Sequence, residues 1–414
     1  MALEIEGSNP FAHPIFCEPV EYVPLVNCKL MPTLFKHIDI LHQGETNGDW
    51  MILKLITPGN KLIYALAIPQ AWASPTGPTW SYLFEEQGLT MIDAGGAGTY
   101  LYLQKLMSLI GFKISDIERL ILTHGHWDHD GIASGVVHEG AELWAQELYG
   151  HLIPYHPKDL LASSDKETQA QLDKVLENDI KNSTRPSIYT QLPEHSEIIN
   201  NYLSARKSLS VNKPIGPKTD FGNLDFIETP GHSPDHICIS LDEILFTGDH
   251  ILPEITPHPT MKTKYPNFIK QQLPKRFQEE SNNWGLLVYI KSLKKIRRIC
   301  KENVLILPAH RLYNRDNLNI ITVERADEII NHHINRLYRI VNWIGLEPKT
   351  LEQITEKIFS RRRLVGGNLF PAFQEIVSHL ELLIESEDVQ PVNIKEFRWK
   401  GTDNFKYLIN NILI

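Results

Sequence analysis

The sequence has few of the features that mark several specialised classes of protein. Its 414 residues include only four cysteines, Cys17, Cys28, Cys238 and Cys300, and none belongs to a Cys-x-x-Cys pair. We therefore expect reduced thiols rather than a disulfide framework or a cysteine-based zinc knuckle. No run approaches the roughly 18 to 20 apolar residues of a membrane span. No Gly-x-Ser-x-Gly motif offers a serine nucleophile.

An excess of positive charge is also absent. The formal net charge is -9, which argues against a surface built as a whole for nucleic acid, although it does not exclude a local basic patch. The first residues, Met-Ala-Leu-Glu-Ile-Glu, lack the basic and then apolar layout of a signal peptide. We therefore predict a cytoplasmic protein without a membrane segment.

Length and composition indicate an ordinary globular protein with more than one domain. Apolar residues make up 42% and charged residues 22% of the chain, which is typical of globular proteins, and the length exceeds that of one typical domain. We predict a proline-rich irregular arm over 1–36, a central α/β domain over 37–316 and a small helical domain over 317–414. The sequence leaves open whether the arm packs on its own chain or on a second subunit of a homo-oligomer.

One short stretch concentrates side chains that bind metals. Residues 123–131 read Thr-His-Gly-His-Trp-Asp-His-Asp-Gly and follow a strand-like run. In an extended segment residues i and i+2 point the same way, so His124 and His126 can bind one metal. Asp128 and His129 come where the chain bends, and can turn to a second metal. Imidazole and carboxylate are ligands of zinc, iron, manganese and nickel.

This stretch resembles the His-x-His-x-Asp-His signature of the metallo-β-lactamase fold superfamily of hydrolases. Four further segments resemble the other motifs of that family, in the family's order. They are Met91–Gly95 with Asp93, Thr229–His236 with His232, Phe246–His250 with Asp249, and Leu307–His310. The resemblance implies a four-layer αββα sandwich with its site beyond the strand ends. The strand–helix–strand rhythm of the central domain also suits such a sandwich.

The resemblance also implies a binuclear metal site with Asp128 and Asp249 as catalytic residues. His124, His126 and His232 would hold one ion, Asp128, His129 and His310 would hold the other, and Asp249 would bridge them. Asp93 would accept a hydrogen bond from a ligand histidine, and His250 is a candidate substrate contact. We expect two divalent ions, zinc first, with iron or manganese as alternatives.

Such a site predicts hydrolysis. A water between two metals is acidified to a pKa of about 7, and the resulting hydroxide attacks an electrophilic carbonyl or phosphorus. We predict a small-molecule substrate, namely an ester, thioester or lactone, although Leu252 stands where the quorum-signal lactonases have tyrosine.

One alternative is a metal-dependent endoribonuclease or phosphodiesterase. The short interval between Asp249 and His310 argues against it, because the large inserted domain of processing nucleases cannot fit there. A second alternative is a mononuclear iron persulfide dioxygenase.

Two other regions carry weaker predictions. Residues 146–220 read as a mostly helical insertion over the active site, in which Leu172, Val175, Leu176 and Ile180 keep helical spacing.

In the C-terminal region, Ile330, Ile334, Leu337, Val341 and Ile344 predict an amphipathic helix, and Thr350–Gln353 reads as a capping box. Three short helices and a β ribbon there resemble a winged-helix-like domain. For the basic run Arg361–Arg363 we favour a solvated loop over a nucleic-acid contact.

Overall fold

The computed structural model describes residues 35–72, 74–155, 196–359, 369–393 and 396–412, together with residues 170, 174 and 364. The proline-rich arm up to residue 34, the helix predicted around Leu172–Ile180 and the basic run Arg361–Arg363 lie outside the described residues. Within the described ranges, no helix has both the length and the apolar character needed to cross a membrane.

The first sheet has eight strands whose spatial order follows the chain. Its first half is a set of antiparallel hairpins, and its second half is parallel. The strands are β1 (His37–His42), β2 (Ile52–Ile56), β3 (Leu62–Ile68), β4 (Thr79–Glu85), β5 (Leu89–Ile92), β6 (Arg119–Ile121), β7 (Glu142–Gln146) and β8 (Lys213–Ile215).

The second sheet has five strands in the order β15-β12-β11-β10-β9. Its central pair, β11 and β12, is parallel, and its other pairs are antiparallel. A short hairpin, β13 with β14, lies between the last two strands in sequence. The bounds are β9 (Leu224–Glu228), β10 (Ile237–Leu241), β11 (Ile244–Gly248), β12 (Leu305–Pro308), β13 (Tyr313–Asn314), β14 (Asn317–Leu318) and β15 (Ile321–Thr322).

Three apolar clusters arrange these sheets and their helices in four layers. Leu55 and Ile63 of the first sheet pack against Ile239 and Phe246 of the second. The opposite face of the first sheet is covered by helices, and so is that of the second sheet. The central helices are α1 (Tyr100–Leu109), α2 (Ala133–His138), α3 (Glu147–Leu152), α4 (Ser196–Lys207), α5 (Asn267–Lys270) and α6 (Leu286–Ile299). The chain therefore forms a mixed α/β sandwich, with a helical layer on each side of two sheets.

The spacing of apolar residues explains how α1 and α6 pack. In α1, Leu103, Leu106 and Met107 are buried, and they lie on the one stripe that faces the first sheet. In α6 the buried positions include Leu286, Ile290 and Leu293, which again share one face and cover the second sheet. Lysines and arginines occupy the rest of the α6 surface, where Lys291 and Arg298 are exposed and Lys295 donates to the Glu228 carbonyl at 2.8 Å.

The C-terminal region is helical, as predicted. Its long helix buries Ile330, Leu337, Val341 and Ile344, and Ile334 packs against the same cluster at partial exposure. This cluster is continuous with the residues of α6, so the C-terminal helices extend the outer layer of the second sheet. The elements are α7 (Arg325–Ile344), β16 (Lys349–Thr350), α8 (Leu351–Ile358), α9 (Leu369–Glu385), β17 (Val389–Asn393), β18 (Glu396–Trp399) and α10 (Asn404–Asn410). The likeness to a winged helix and the domain boundaries stay predictions.

Two strands fall outside the segments predicted for the sandwich. Within the predicted insertion, β8 pairs in parallel with β7 and forms the edge of the first sheet. Its sequence, Lys-Pro-Ile, gives no strand signal, because proline is tolerated only at a sheet edge. Beyond the predicted boundary at 316, β15 still pairs with β12.

The capping box before α8 gives a direct test of this region. The Thr350 hydroxyl accepts from the Gln353 amide at 3.2 Å, and the Gln353 side chain accepts from the Thr350 amide at 3.0 Å. Removing the hydroxyl in Thr350→Ala should lower the free energy of unfolding by about 1 kcal/mol, measured by urea denaturation. Thr350→Ser keeps the acceptor and serves as the control. An equal loss in both variants would contradict the prediction.

Candidate metal centre

Strand topology brings the five predicted motifs to one edge of the sandwich. The parallel strands β5 and β6 end side by side, so Asp93 lies beside the loop that carries His124. The parallel strands β11 and β12 likewise lead to Asp249 and His310. Because β10 runs antiparallel to β11, the loop before β10, with His232, lies at the same edge. The Ile237 amide donates to the Thr123 carbonyl at 2.8 Å and joins the two sheets there.

Three of the predicted ligands form a first group. His126 Nδ1 lies 2.9 Å from His124 Nε2 and 3.2 Å from His232 Nε2. Ligand atoms about 2.1 Å from a tetrahedral zinc ion lie about 3.4 Å from one another. The three nitrogen atoms are therefore close enough to one another to share one ion.

The remaining predicted ligands form a second group that shares Asp249 with the first. His310 Nε2 lies 3.3 Å from Asp128 Oδ2, and His129 Nε2 lies 3.8 Å from Asp128 Oδ1. Asp249 Oδ1 faces His310 at 3.5 Å, whereas Asp249 Oδ2 faces His232 at 3.5 Å and His129 at 3.6 Å. The Asp249 carboxylate thus lies between the two groups and faces both. The structure brings all seven predicted ligands together.

Contacts outside the cluster orient most of these rings. The Nδ1 atoms of His124, His129, His232 and His310 lie 2.9 to 3.0 Å from oxygen atoms of Thr123, Asp93, His258 and Pro78 respectively. Each contact leaves Nε2 directed into the cluster. Partners on the far ring nitrogen are the usual way in which proteins fix a metal-binding imidazole.

Asp93 holds the loop that carries the ligands. Its carboxylate lies 2.9 Å from His129 Nδ1 and accepts from the amide and the hydroxyl of Thr123 at 2.8 Å each. Asp93 adopts a φ of 57°, in the left-handed region that aspartate tolerates better than most residues. The structure therefore places Asp93 behind the predicted ligands, in contact with the far ring nitrogen of His129.

The cluster contains buried polar atoms that no protein group satisfies. Among the described residues, His129 Nε2, His310 Nε2 and Asp249 Oδ1 have no hydrogen-bond partner. Each unsatisfied buried group costs about 1 to 3 kcal/mol. Five imidazoles and two carboxylates form a donor set that suits divalent ions, so the residues present fit a metal centre.

The electrostatics of the two groups differ. Burial lowers the pKa of His126 and His232 to about 4 each, so these imidazoles are neutral and can donate to a metal. Burial also acts on His129 and His310, but the carboxylates, chiefly Asp249, outweigh it and raise the pKa of both. Without a cation, protons therefore occupy the second group.

Competition between protons and metal follows from these shifts. Because the pKa values of His129 and His310 are raised, their protons must leave before metal binds the second group. Apparent zinc affinity should therefore fall as pH is lowered from 8 to 6, by about tenfold per pH unit for each proton displaced. Titration against a chromophoric chelator at fixed ionic strength measures this affinity. An affinity that does not change with pH would contradict the prediction.

A comparison with protein-family models identifies the family to which this chain belongs. The model described as Metallo-beta-lactamase superfamily matches residues 74–310, more than half of the chain, and that span includes every predicted ligand. The chain belongs to the metallo-beta-lactamase superfamily. Membership and the donor set together imply that this edge of the sandwich binds divalent metal.

Relatives of this superfamily member include two curated proteins. The chain is 22% identical to Probable metallo-hydrolase YqjP of Bacillus subtilis, over 79% of this chain and 93% of the relative. It is 23% identical to Beta-lactamase-like protein 2 homolog of Drosophila melanogaster, over 72% of this chain and 78% of the relative.

Two solved structures share the fold. A metallo-beta-lactamase family protein from Thermus thermophilus aligns with a TM-score of 0.53 and 20% identity, over 82% of this chain and 98% of that chain. A beta-lactamase domain protein from Burkholderia ambifaria aligns with a TM-score of 0.56 and 17% identity, over 89% of this chain and 98% of that chain. At these identities the likeness supports the fold alone.

His250 does not lie where a substrate contact requires. Its side chain is fully buried, and its ring packs between those of His236 and Tyr289, at centroid distances of 5.6 and 5.2 Å. Burial lowers the pKa of His250 to about 3. The ring of His250 therefore lies in the core behind the predicted ligands.

Several residues that support the loop were not predicted. Asp235 accepts from the Gly125 amide at 2.8 Å, and the Thr79 hydroxyl donates to the Asp128 carbonyl at 2.8 Å. Asp130, directly after His129, is buried and accepts from three side chains. The sequence signal for Asp130 was its place inside the motif, but its partners come from distant helices.

A second group of metal-type donors lies in the C-terminal region. His333 of α7 lies with Glu375 and His379 of α9, all buried. His333 Nδ1 is 3.2 Å from His379 Nε2, and His379 Nδ1 donates to the Glu375 carbonyl at 2.6 Å. The Glu375 carboxylate pairs with the Arg336 guanidinium, whose positive charge would repel a divalent ion. We interpret this cluster as a hydrogen-bonded network of the core.

Proposed function

We propose that this protein is a binuclear metal-dependent hydrolase that breaks the acyl C–O or C–S bond of an ester, thioester or lactone after water attacks its carbonyl carbon. The observation that carries the proposal is the position of Asp249, whose carboxylate lies between the two groups and faces His232 of the first and His129 and His310 of the second. Its Bacillus subtilis relative YqjP is named as a probable metallo-hydrolase, which supports the same reaction type. We propose zinc as the metal, because imidazole nitrogens dominate the donor set.

The chain's own residues account for positioning and for the local charge. Two divalent ions bound there would lower the pKa of a water molecule and polarise the substrate carbonyl. Asp128 and Asp249 supply the negative charge that balances the ions. Asp93 keeps the ring of His129 in place through its Nδ1 atom. Fixed ligands of this kind cost little reorganisation during the reaction.

An aromatic wall beside the ligands favours a substrate with an apolar part. Trp127 stands between the ligands His126 and Asp128, and its ring stacks on that of Trp72 at a centroid distance of 4.8 Å. Both rings are partly exposed, and Ile198 and Leu203 of α4 pack in the same cluster. Binding sites for small organic molecules are commonly apolar walls around a few polar groups, so we propose that this wall takes the acyl part of the substrate.

A substrate panel tests the proposed reaction. The zinc-loaded protein should hydrolyse thioesters or lactones, and His126→Ala and Asp249→Ala should each lose at least about a hundredfold in kcat/KM, because each removes a ligand. His138→Ala, which changes an exposed histidine of α2, is the control.

Within a series of thioesters that the protein hydrolyses, longer acyl chains should lower KM in the wild type. The decrease in KM should be smaller in Trp72→Ala.

Two outcomes would contradict the proposal. Cleavage of single-stranded RNA without turnover of any carbonyl substrate would favour the nuclease. One iron per chain together with oxygen uptake on a persulfide would favour the dioxygenase.

A further inference from the structure

A buried carboxylate follows the last ligand of the metal loop, which we define as residues 124–131. Asp130 is 2% exposed and accepts three hydrogen bonds. Arg206 Nε donates at 2.9 Å, the Tyr202 hydroxyl at 2.8 Å and the Tyr149 hydroxyl at 3.0 Å. The contact with Arg206 is also a salt bridge, and the Arg206 side chain is buried as well.

These donors join the metal loop to two helices that are distant in sequence. Tyr149 belongs to α3, whereas Tyr202 and Arg206 belong to α4. Arg206 Nη1 also donates to the Ile153 carbonyl, just past α3, at 3.3 Å. One guanidinium thus links the loop, the end of α3 and the last turn of α4.

The other side of the metal loop is held by backbone contacts. The Gly131 amide donates to the Gly95 carbonyl at 3.0 Å, and the Ala94 amide donates to the His129 carbonyl at 2.8 Å. A β-carbon on Gly131 would lie 2.0 Å from the Ala97 amide nitrogen, so the backbones are in close contact there. The loop is therefore fixed between this backbone on one side and the Asp130 cluster on the other.

The loop is also too compact for Asp130 to move alone. The amides of His129 and Asp130 both donate to the His126 carbonyl, at 3.0 and 2.9 Å. A shift of Asp130 would therefore move His129 and Asp128, whose side chains face Asp249. An unpaired charge on buried Asp130 would favour such a shift, because the carboxylate would turn towards water.

The same contact sets the position of the substrate wall. Ile199 and Tyr202 of α4 pack against Ala97, and Ile198 and Leu203 border the same cluster as Trp127. Arg206 lies on the next turn of this helix. Its ion pair with Asp130 therefore fixes the apolar face of α4 relative to the ligands.

We propose that Arg206, acting through Asp130, is a positioning residue that aligns the metal loop with the wall formed by α4. The part that concerns the wall rests on the proposed function, whereas the part that concerns the ligands requires only a bound metal. Metal affinity and metal spectroscopy can therefore test the inference even if no substrate is found.

The experiment compares Arg206→Met, which removes the charge, with Arg206→Lys, which keeps it. The two readouts are zinc affinity, by competition with a chelator, and the visible absorption of the cobalt-substituted protein. Arg206→Met should bind zinc about 10 to 100-fold more weakly, as is usual when a partner of a ligand is lost, and should alter the cobalt bands. Arg206→Lys should recover most of both.

Arg276→Met is a matched control. Arg276 pairs with Glu147 of α3 and with Glu228, and neither of these ion pairs involves the metal loop. It should leave affinity and spectrum unchanged. If hydrolysis has been found, Arg206→Met should also raise KM by a larger factor than Arg276→Met does. Absence of hydrolysis in the wild type would refute the proposed function and leave the metal readouts valid.

A double variant tests whether the charge on Asp130 causes the effect. Asparagine can still accept from both tyrosines, so Asp130→Asn combined with Arg206→Met should bind zinc more tightly than Arg206→Met alone. A folded Arg206→Met protein with wild-type zinc affinity and wild-type cobalt bands would overturn the proposal. If Arg206→Met does not fold, Tyr202→Phe decides: a severalfold loss of affinity supports the proposal, and an unchanged affinity and spectrum overturn it.

Discussion

The Asp249 carboxylate lies between the two groups of predicted ligands and faces both, and the arrangement of the two sheets leads to this contact. Asp249 follows a central strand of the second sheet, whereas Asp128 and His129 follow a strand of the first. Nitrogen and oxygen atoms here lie within 4 Å of one another, and several have no protein partner among the described residues. Bound cations would satisfy these atoms, since buried polar groups that stay unsatisfied oppose folding.

The surroundings of the ligands restrict movement from two directions. Asp93 binds Thr123 and His129 from the side of the first sheet, and Asp130 receives donors from α3 and α4 on the other side. Both carboxylates are buried, so each requires its partners to be in place. The metal loop and α4 are therefore joined by contacts that are buried at both ends. These contacts are the basis for the proposed role of α4 in positioning the site.

The sequence predicted which polar side chains meet at this edge better than it predicted their surroundings, and the reason is the range of the interactions. The residues His124 to His129 form a local pattern, and strand ends in an α/β sheet lie at one edge, so their meeting could be inferred. The ion pair between Asp130 and Arg206 joins residues far apart in the chain, and no periodic pattern in the sequence predicts it. The full burial of His250 depends on the packing of Tyr289 from α6. Amphipathic spacing predicted α7 well, because one buried face suffices to define a helix.

Anomalous X-ray scattering at the zinc edge, from crystals of the zinc-loaded protein, tests the central claim most directly. We predict two anomalous peaks per chain at this edge of the sandwich, with Asp249 between them. One should lie among His124, His126 and His232, and the other among Asp128, His129 and His310. A single peak, or a peak at His333 and His379 with none at Asp249, would contradict it.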